Sequence, residues 1–282
     1  MAIIPVYVDI LRALAGTPPG TPVWPRFEAH AYIPHRGFFE GLLETYGAHM
    51  YGEMGLPGAV EMAAPMLQQA LAPAAAYHME ERCHRLLETA APLLPGITPN
   101  LYLGTLLFMA PAATLSVLHR PAMALGLERF HPNPPPSDEK LLYHPDEVAE
   151  MIPHEAAHAA RMQVLGLPPT PRKLSLLDMV MLEGTALTFT DLLLGRQTLA
   201  TFMPPPQMAW HQAHEPEARE AAAAEFDATG MDPFLKYFSH HSPVSGYYVG
   251  YSYCRDYLRK YGAGSISELV ALPSAEILQR LS

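Results

Sequence analysis

Two cysteines in 282 residues, Cys83 and Cys254, exclude a disulfide framework and any cysteine-built zinc knuckle; each reads as a small buried hydrophobe. Positive charge is also scarce. Eighteen Lys and Arg against 28 Asp and Glu leave a formal net charge of −10, so a nucleic-acid partner, which needs concentrated cationic side chains against phosphate, is not expected. No apolar run approaches the roughly 18 to 20 residues that a membrane span requires, so no membrane partner is expected either. The first residues, Met1-Ala2-Ile3-Ile4-Pro5, lack the positive start and small-residue cleavage site of a signal peptide, which makes the cytoplasm the expected location. With 49% hydrophobic and only 16% charged residues, the chain has the composition and length to bury a full-sized core.

What the chain has in excess is proline, 30 residues of it, spread so that it punctuates helices and does not gather into a linker. Residues 1–95 read as a helical N-terminal subdomain, with helical spacing over Val6 to Ala15, Arg36 to Tyr46, Pro57 to Leu71 and Ala74 to Leu94. From Asn100 the texture changes. Short apolar runs over Asn100 to Phe108, Ala112 to Leu118 and Ala122 to Phe130, broken by Pro111 and Pro121, suit strands. Glu128 reads as a solvated residue near a sheet edge. His211 and His214 sit on a charged, alanine-rich helical stretch and read as part of its solvated face.

The stretch that carries chemistry is His154-Glu155-Ala156-Ala157-His158. It fits H-E-x-x-H, in which two histidines four apart share one helix face and hold a zinc ion, with the glutamate beside the metal-activated water as general base. Pro145-Asp146-Glu147 opens the helix with a proline and two acids, and Gly166 and Pro168-Pro169 end it. Pro153 is the awkward residue, because a proline inside a helix removes a hydrogen bond. His144, ten residues ahead of His154, reads as a cap that does not touch metal.

Such a site wants a third protein ligand. Glu183, 25 residues after His158, stands in the apolar run Leu176 to Ala186, where an unpaired carboxylate is hard to justify. It is the first candidate; the alternative is that it faces solvent or pairs with an arginine. Asp178 is the second candidate ligand, or else a partner that orients one of the histidines. Gly184 would let two helices approach closely.

Taken with two further segments, Glu183-Gly184-Thr185-Ala186 and Gly246-Tyr247-Tyr248-Val249-Gly250-Tyr251, the motif resembles the gluzincin metallopeptidases and, more narrowly, a bacterial family described as predicted zinc-dependent proteases, which carries HExxH, then a Glu-Gly-x-Ala segment, then Gly-Tyr-x-x-Gly-Tyr. The resemblance covers roughly residues 95–282. It implies an α+β, zincin-like domain over residues 96–282, mostly helical, with a small sheet ahead of the active-site helix whose edge strand could pair with an extended peptide. It implies one Zn2+ per chain on His154, His158 and Glu183, with Glu155 as base, and a peptide or protein as substrate. It makes Tyr247 the first and Tyr251 the second choice for a donor to the developing oxyanion, with His240 or His241 as outside candidates. Thr185 departs from the family's usual apolar residue. No acid stands four residues after Glu183, where well-known gluzincins place an aspartate; this chain has Leu187. The alternative function is a catalytically inactive zincin-fold protein that binds peptides or a partner in the same cleft.

Overall fold

The structure, a computed structural model, describes every residue except 1, 19, 47–53, 75–76, 97–98, 136–140, 169, 171–172, 204 and 240–241. It is an α+β chain, mostly helical with one small mixed sheet. In chain order the elements are β1 (Ile3–Ile4), α1 (Val6–Ala15), α2 (Trp24–Phe27), α3 (Arg36–Tyr46), α4 (Gly55–Leu71), α5 (Met79–Ala90), β2 (Leu101–Gly104), β3 (Ala112–Val117), β4 (Arg120–Gly126), α6 (Val148–Leu165), α7 (Leu176–Leu194) and α8 (Leu199–Phe202). There follow α9 (Pro205–Ala213), α10 (Glu215–Ala223), α11 (Met231–Phe238), α12 (Gly246–Tyr261), α13 (Ile266–Ala271) and α14 (Ser274–Leu281). None of the described helices is long and apolar enough to cross a membrane.

Contacts group the chain into two units, Met1–Glu88 with Pro99–Ile152 and Thr89–Thr98 with Pro153–Ser282. This grouping does not follow the boundary expected near residue 95. The strands join the N-terminal helices because β1 is itself a strand of their sheet, pairing Ile3 with Leu101 and Ile4 with Tyr102. Thr89–Thr98 goes the other way, since Ala90 and Leu94 pack with Ala157, Met181 and Cys254.

In the first unit the sheet order is β1-β2-β4-β3, parallel between β1, β2 and β4 and antiparallel between β3 and β4. Leu118 and His119 both have positive φ and close the β3–β4 hairpin in two residues, the backbone that matches the twist of the flanking strands. Ser116 pairs with Pro121 at a non-hydrogen-bonded position of the ladder, so its carbonyl points away from β4 and the proline's missing N–H is not needed there. Gly41 of α3 meets it there: a Cβ at that position would lie 2.3 Å from the Ser116 oxygen. Glu128 is buried, contrary to expectation. Its Oε1 accepts from the N–H groups of Leu106 (2.8 Å) and Phe108 (2.9 Å), which the positive φ of Leu107 and Phe108 helps to turn inward.

The second unit is built around α7 and α12. Twelve residues of α7 are buried over all its faces, from Leu176 to Thr190, as a helix apolar all round requires. Ser175 caps its start by accepting from Asp178 N, and Gly195 ends it in the left-handed conformation. At Gly184 and Gly250 the two helices touch backbone to backbone. A Cβ on Gly184 would fall 2.2 Å from the Gly250 carbonyl carbon, and one on Gly250 would fall 1.9 Å from the Val180 oxygen. Cys83 and Cys254 are buried and free.

Candidate metal centre

The first ligand-bearing helix is introduced by a short 3-10 turn, Pro145–Glu147, with His144 as its cap. His144 Nδ1 accepts from Asp146 N at 3.2 Å, and the Glu147 carboxylate accepts from His144 N at 2.7 Å, a reciprocal capping box. Helix α6 then runs unbroken through Pro153, whose missing N–H leaves the Ala149 carbonyl without its helical partner. His154, Glu155 and His158 are all buried on this helix.

Glu183, midway along α7, brings its carboxylate to the two imidazoles. Its Oε2 lies 3.2 Å from His154 Nε2 and 3.4 Å from His158 Nε2. Zinc bonds of about 2.0 to 2.2 Å to nitrogen and oxygen in a tetrahedron separate neighbouring ligand atoms by about 3.3 Å. The two N···O separations therefore match tetrahedral edges. The three donors lie within 4.8 Å of one another, and they are the only such His/Cys/Asp/Glu group among the described residues. Two imidazole nitrogens and one carboxylate oxygen form a donor set suited to zinc, so the residues present fit that ion.

Charge at this centre is strongly coupled. Burial alone would push His158 down, but Glu183 beside it, with help from Glu155, holds it above its ordinary value. Burial alone would push Glu183 up, but the two imidazoles hold it well below the usual carboxylate range. The far ring nitrogens are different: Nδ1 of His154 and Nδ1 of His158 are buried and have no hydrogen-bond partner among the described residues.

A family model with the description "Predicted Zn-dependent protease (DUF2268)" matches residues 138–279, half of the chain. The chain belongs to this family. Every residue of the centre falls inside the matched segment, and the four strands fall outside it. No curated protein and no solved structure matches the chain significantly.

The other residues singled out from the sequence are placed as follows. Tyr251 is buried with its hydroxyl donating to Asp191 Oδ2 at 2.7 Å, and burial together with that carboxylate raises its pKa above the ordinary phenol value. Tyr247 is half-buried in an aromatic row. Its ring is 6.0 Å from Phe202 and 5.3 Å from Phe238, and Phe202 stacks on His154 at 4.5 Å and 18°. His240 and His241 lie outside the described residues. Asp178 stands outside the His154, His158 and Glu183 cluster and pairs with no histidine among the described residues. Its two oxygens accept from Ser274 Oγ (2.6 Å) and Ser175 Oγ (2.8 Å).

Some residues that shape this part of the family's matched segment were not singled out from the sequence, and one, His211, was read differently. Phe202 forms one wall of His154. Asp191 accepts at 2.7 Å from both Thr198 N and Thr198 Oγ1, and so pins the start of the helix that carries Phe202. His211 is fully buried and not solvated: its Nε2 accepts from Ser245 N at 2.8 Å and its Nδ1 donates to the Gln207 carbonyl, so a neutral imidazole anchors the start of α12. Arg161, fully buried three residues after His158, was signalled by its type alone, a lone charge in an apolar stretch, the cue that marks Glu183.

Proposed function

We propose that this chain is a zinc-dependent peptidase of gluzincin type, with a zincin-like fold around α6 and α7. His154, His158 and Glu183 hold one Zn2+, Glu155 is the general base and acid, and a peptide or protein is the substrate. The observation that carries this reading is the convergence of two imidazole nitrogens on one carboxylate oxygen at tetrahedral-edge distances, with a buried glutamate next to the first histidine.

Zinc held by these residues would supply a Lewis acid that polarises the peptide carbonyl and makes a water acidic enough to attack near neutral pH. Glu155, as carboxylate, accepts a proton from the attacking water and returns it to the leaving amine nitrogen, so that no free base is needed on either side of the reaction. Tyr247 donates a hydrogen bond to the former carbonyl oxygen as negative charge builds there. Tyr247 is placed ahead of Tyr251 by the resemblance, and its ring stands in the aromatic row that reaches His154 through Phe202.

The test joins metal content to turnover. The wild type is expected to carry about one zinc and to cleave members of a peptide library. His158→Ala should lose the metal, while Glu155→Gln should keep it and lose about 10²- to 10⁴-fold in rate. A Glu155→Gln protein that cleaves at the wild-type rate ends the mechanism. A metal-loaded wild type that binds peptides without cleaving them makes the chain a binding protein instead.

A further inference from the structure

Arg161 sits on α6 three residues beyond His158 and has no exposed surface. Its Nη1 donates to the carbonyls of Leu269 (3.2 Å), Val270 (3.1 Å) and Leu272 (2.8 Å), at the end of α13 where helical carbonyls lack partners of their own. Its Nη2 donates to Ser274 Oγ at 3.0 Å, and that hydroxyl donates on to Asp178 Oδ1 at 2.6 Å. Asp178 lies in the first turn of α7, five residues before Glu183, and is held from its other side by Ser175. A single polar chain thus runs from the helix of the two histidines, through residues 269–274, to the helix of the glutamate.

The chemistry of this chain is unusual for a device whose work is stability alone. A buried guanidinium carries a large desolvation cost, and packed apolar side chains generally stabilise a core as well or better. Burial pushes Arg161 down to about 10, which still leaves it charged at neutral pH. What the planar fork gives, and an apolar side chain does not, is direction: four acceptors fixed in space around one helix position. The two N···O separations at the metal centre are set by how α6 and α7 lie along one another. Both helices are keyed to the same short segment one turn away.

We propose that Arg161, acting through Ser274 and Asp178, is a positioning residue for the metal centre that holds α6 and α7 in the register that brings His154 and His158 onto Glu183. The proposal rests on reading that trio as a metal site. Its test is zinc affinity by competition with a chelator, together with the visible absorption of the cobalt-substituted protein, in full-length wild type, Arg161→Lys and Ser274→Ala. Lysine keeps the charge but cannot span the four acceptors. Tyr237→Phe, which removes a hydroxyl bonded to the Ala221 carbonyl away from this chain of contacts, serves as a control for simple loss of stability. The expected result is a 10- to 100-fold loss of zinc affinity in Arg161→Lys, the range found when groups that orient metal ligands are removed, with a smaller loss in Ser274→Ala. The cobalt bands should shift in both, while Tyr237→Phe binds as the wild type does. Wild-type affinity and an unchanged cobalt spectrum in the Ser274→Ala and Arg161→Lys proteins overturn the proposal, as does an equal loss in Tyr237→Phe. If Arg161→Lys does not fold, Ser274→Ala decides alone. A wild type that takes up no metal overturns the peptidase reading itself, an outcome distinct from wild-type binding that the variants match.

Discussion

Each histidine of the centre is supported on one side only. When Nε2 is given to a metal, the ring proton must sit on Nδ1, and in both rings that atom is buried with no acceptor among the described residues. A buried donor left without a partner costs about 1 to 3 kcal/mol. Leu187, four residues after Glu183, is buried against Tyr248 and Tyr251 and offers neither histidine ring an acceptor. The tyrosines of α12 divide at this scale too. Tyr251→Phe removes the phenol donor from Asp191 and is expected to lower stability by about 1 kcal/mol, leaving kcat for peptide cleavage within a few-fold of the wild type. Tyr247→Phe should instead lower kcat about 10²-fold. Kinetics of the two variants side by side, with thermal unfolding of Tyr251→Phe, check this, and an equal kcat in both would remove Tyr247 from the mechanism.

Among the elements, α7 and α12 carry the closest contact. Gly184 follows Glu183 and Gly250 lies one turn after Tyr247, so the place where the backbones touch is bracketed by residues given chemical roles. A methyl group at either glycine meets backbone, which cannot swing aside as a flexible side chain can. Gly184→Ala and Gly250→Ala are each expected to cost about 1 to 3 kcal/mol, or roughly 2 to 12 °C in melting temperature. Gly264→Ala, with nothing within 4 Å of the added atom, should be neutral. Indifference to Gly250→Ala in a melting experiment would mean that the helices are further apart than described. The helices themselves were largely legible in the sequence. Val6–Ala15 and Arg36–Tyr46 form over the expected residues, and HEAAH with Glu183 could be found because helical spacing and a misplaced charge are both local signals. Other features were hidden because their cause is remote in the chain. Tyr251 meets Asp191 across 60 residues, His211 meets Ser245 across 34, and Glu128 meets Leu106 across 22. The strand β1, two residues long, has no period of its own to show.

At the scale of the molecule, metal and stability are linked through one unit. The trio belongs wholly to the unit of Thr89–Thr98 and Pro153–Ser282. Zinc at about 100 times its dissociation constant contributes about 2.7 kcal/mol to whatever it binds, on the order of 5 to 10 °C in melting temperature. The two tryptophans allow this to be localised, since Trp24 lies in one unit and Trp210 in the other. In Trp24→Phe, the fluorescence of Trp210 should report a melting midpoint that rises on adding zinc and falls back with a chelator. In Trp210→Phe, the midpoint seen by Trp24 should move less. A larger shift at Trp24 would place the metal elsewhere.

The carbonyls that receive Arg161 have a consequence for how the protein is made. They come from residues 108 to 111 positions further along the chain, and Ser274 from 113. During synthesis the helix with both histidines is complete long before any of them exists. Until residues 269–274 have been made, the guanidinium lacks all four of these acceptors. Arg161 can therefore reach these partners only near the end of synthesis.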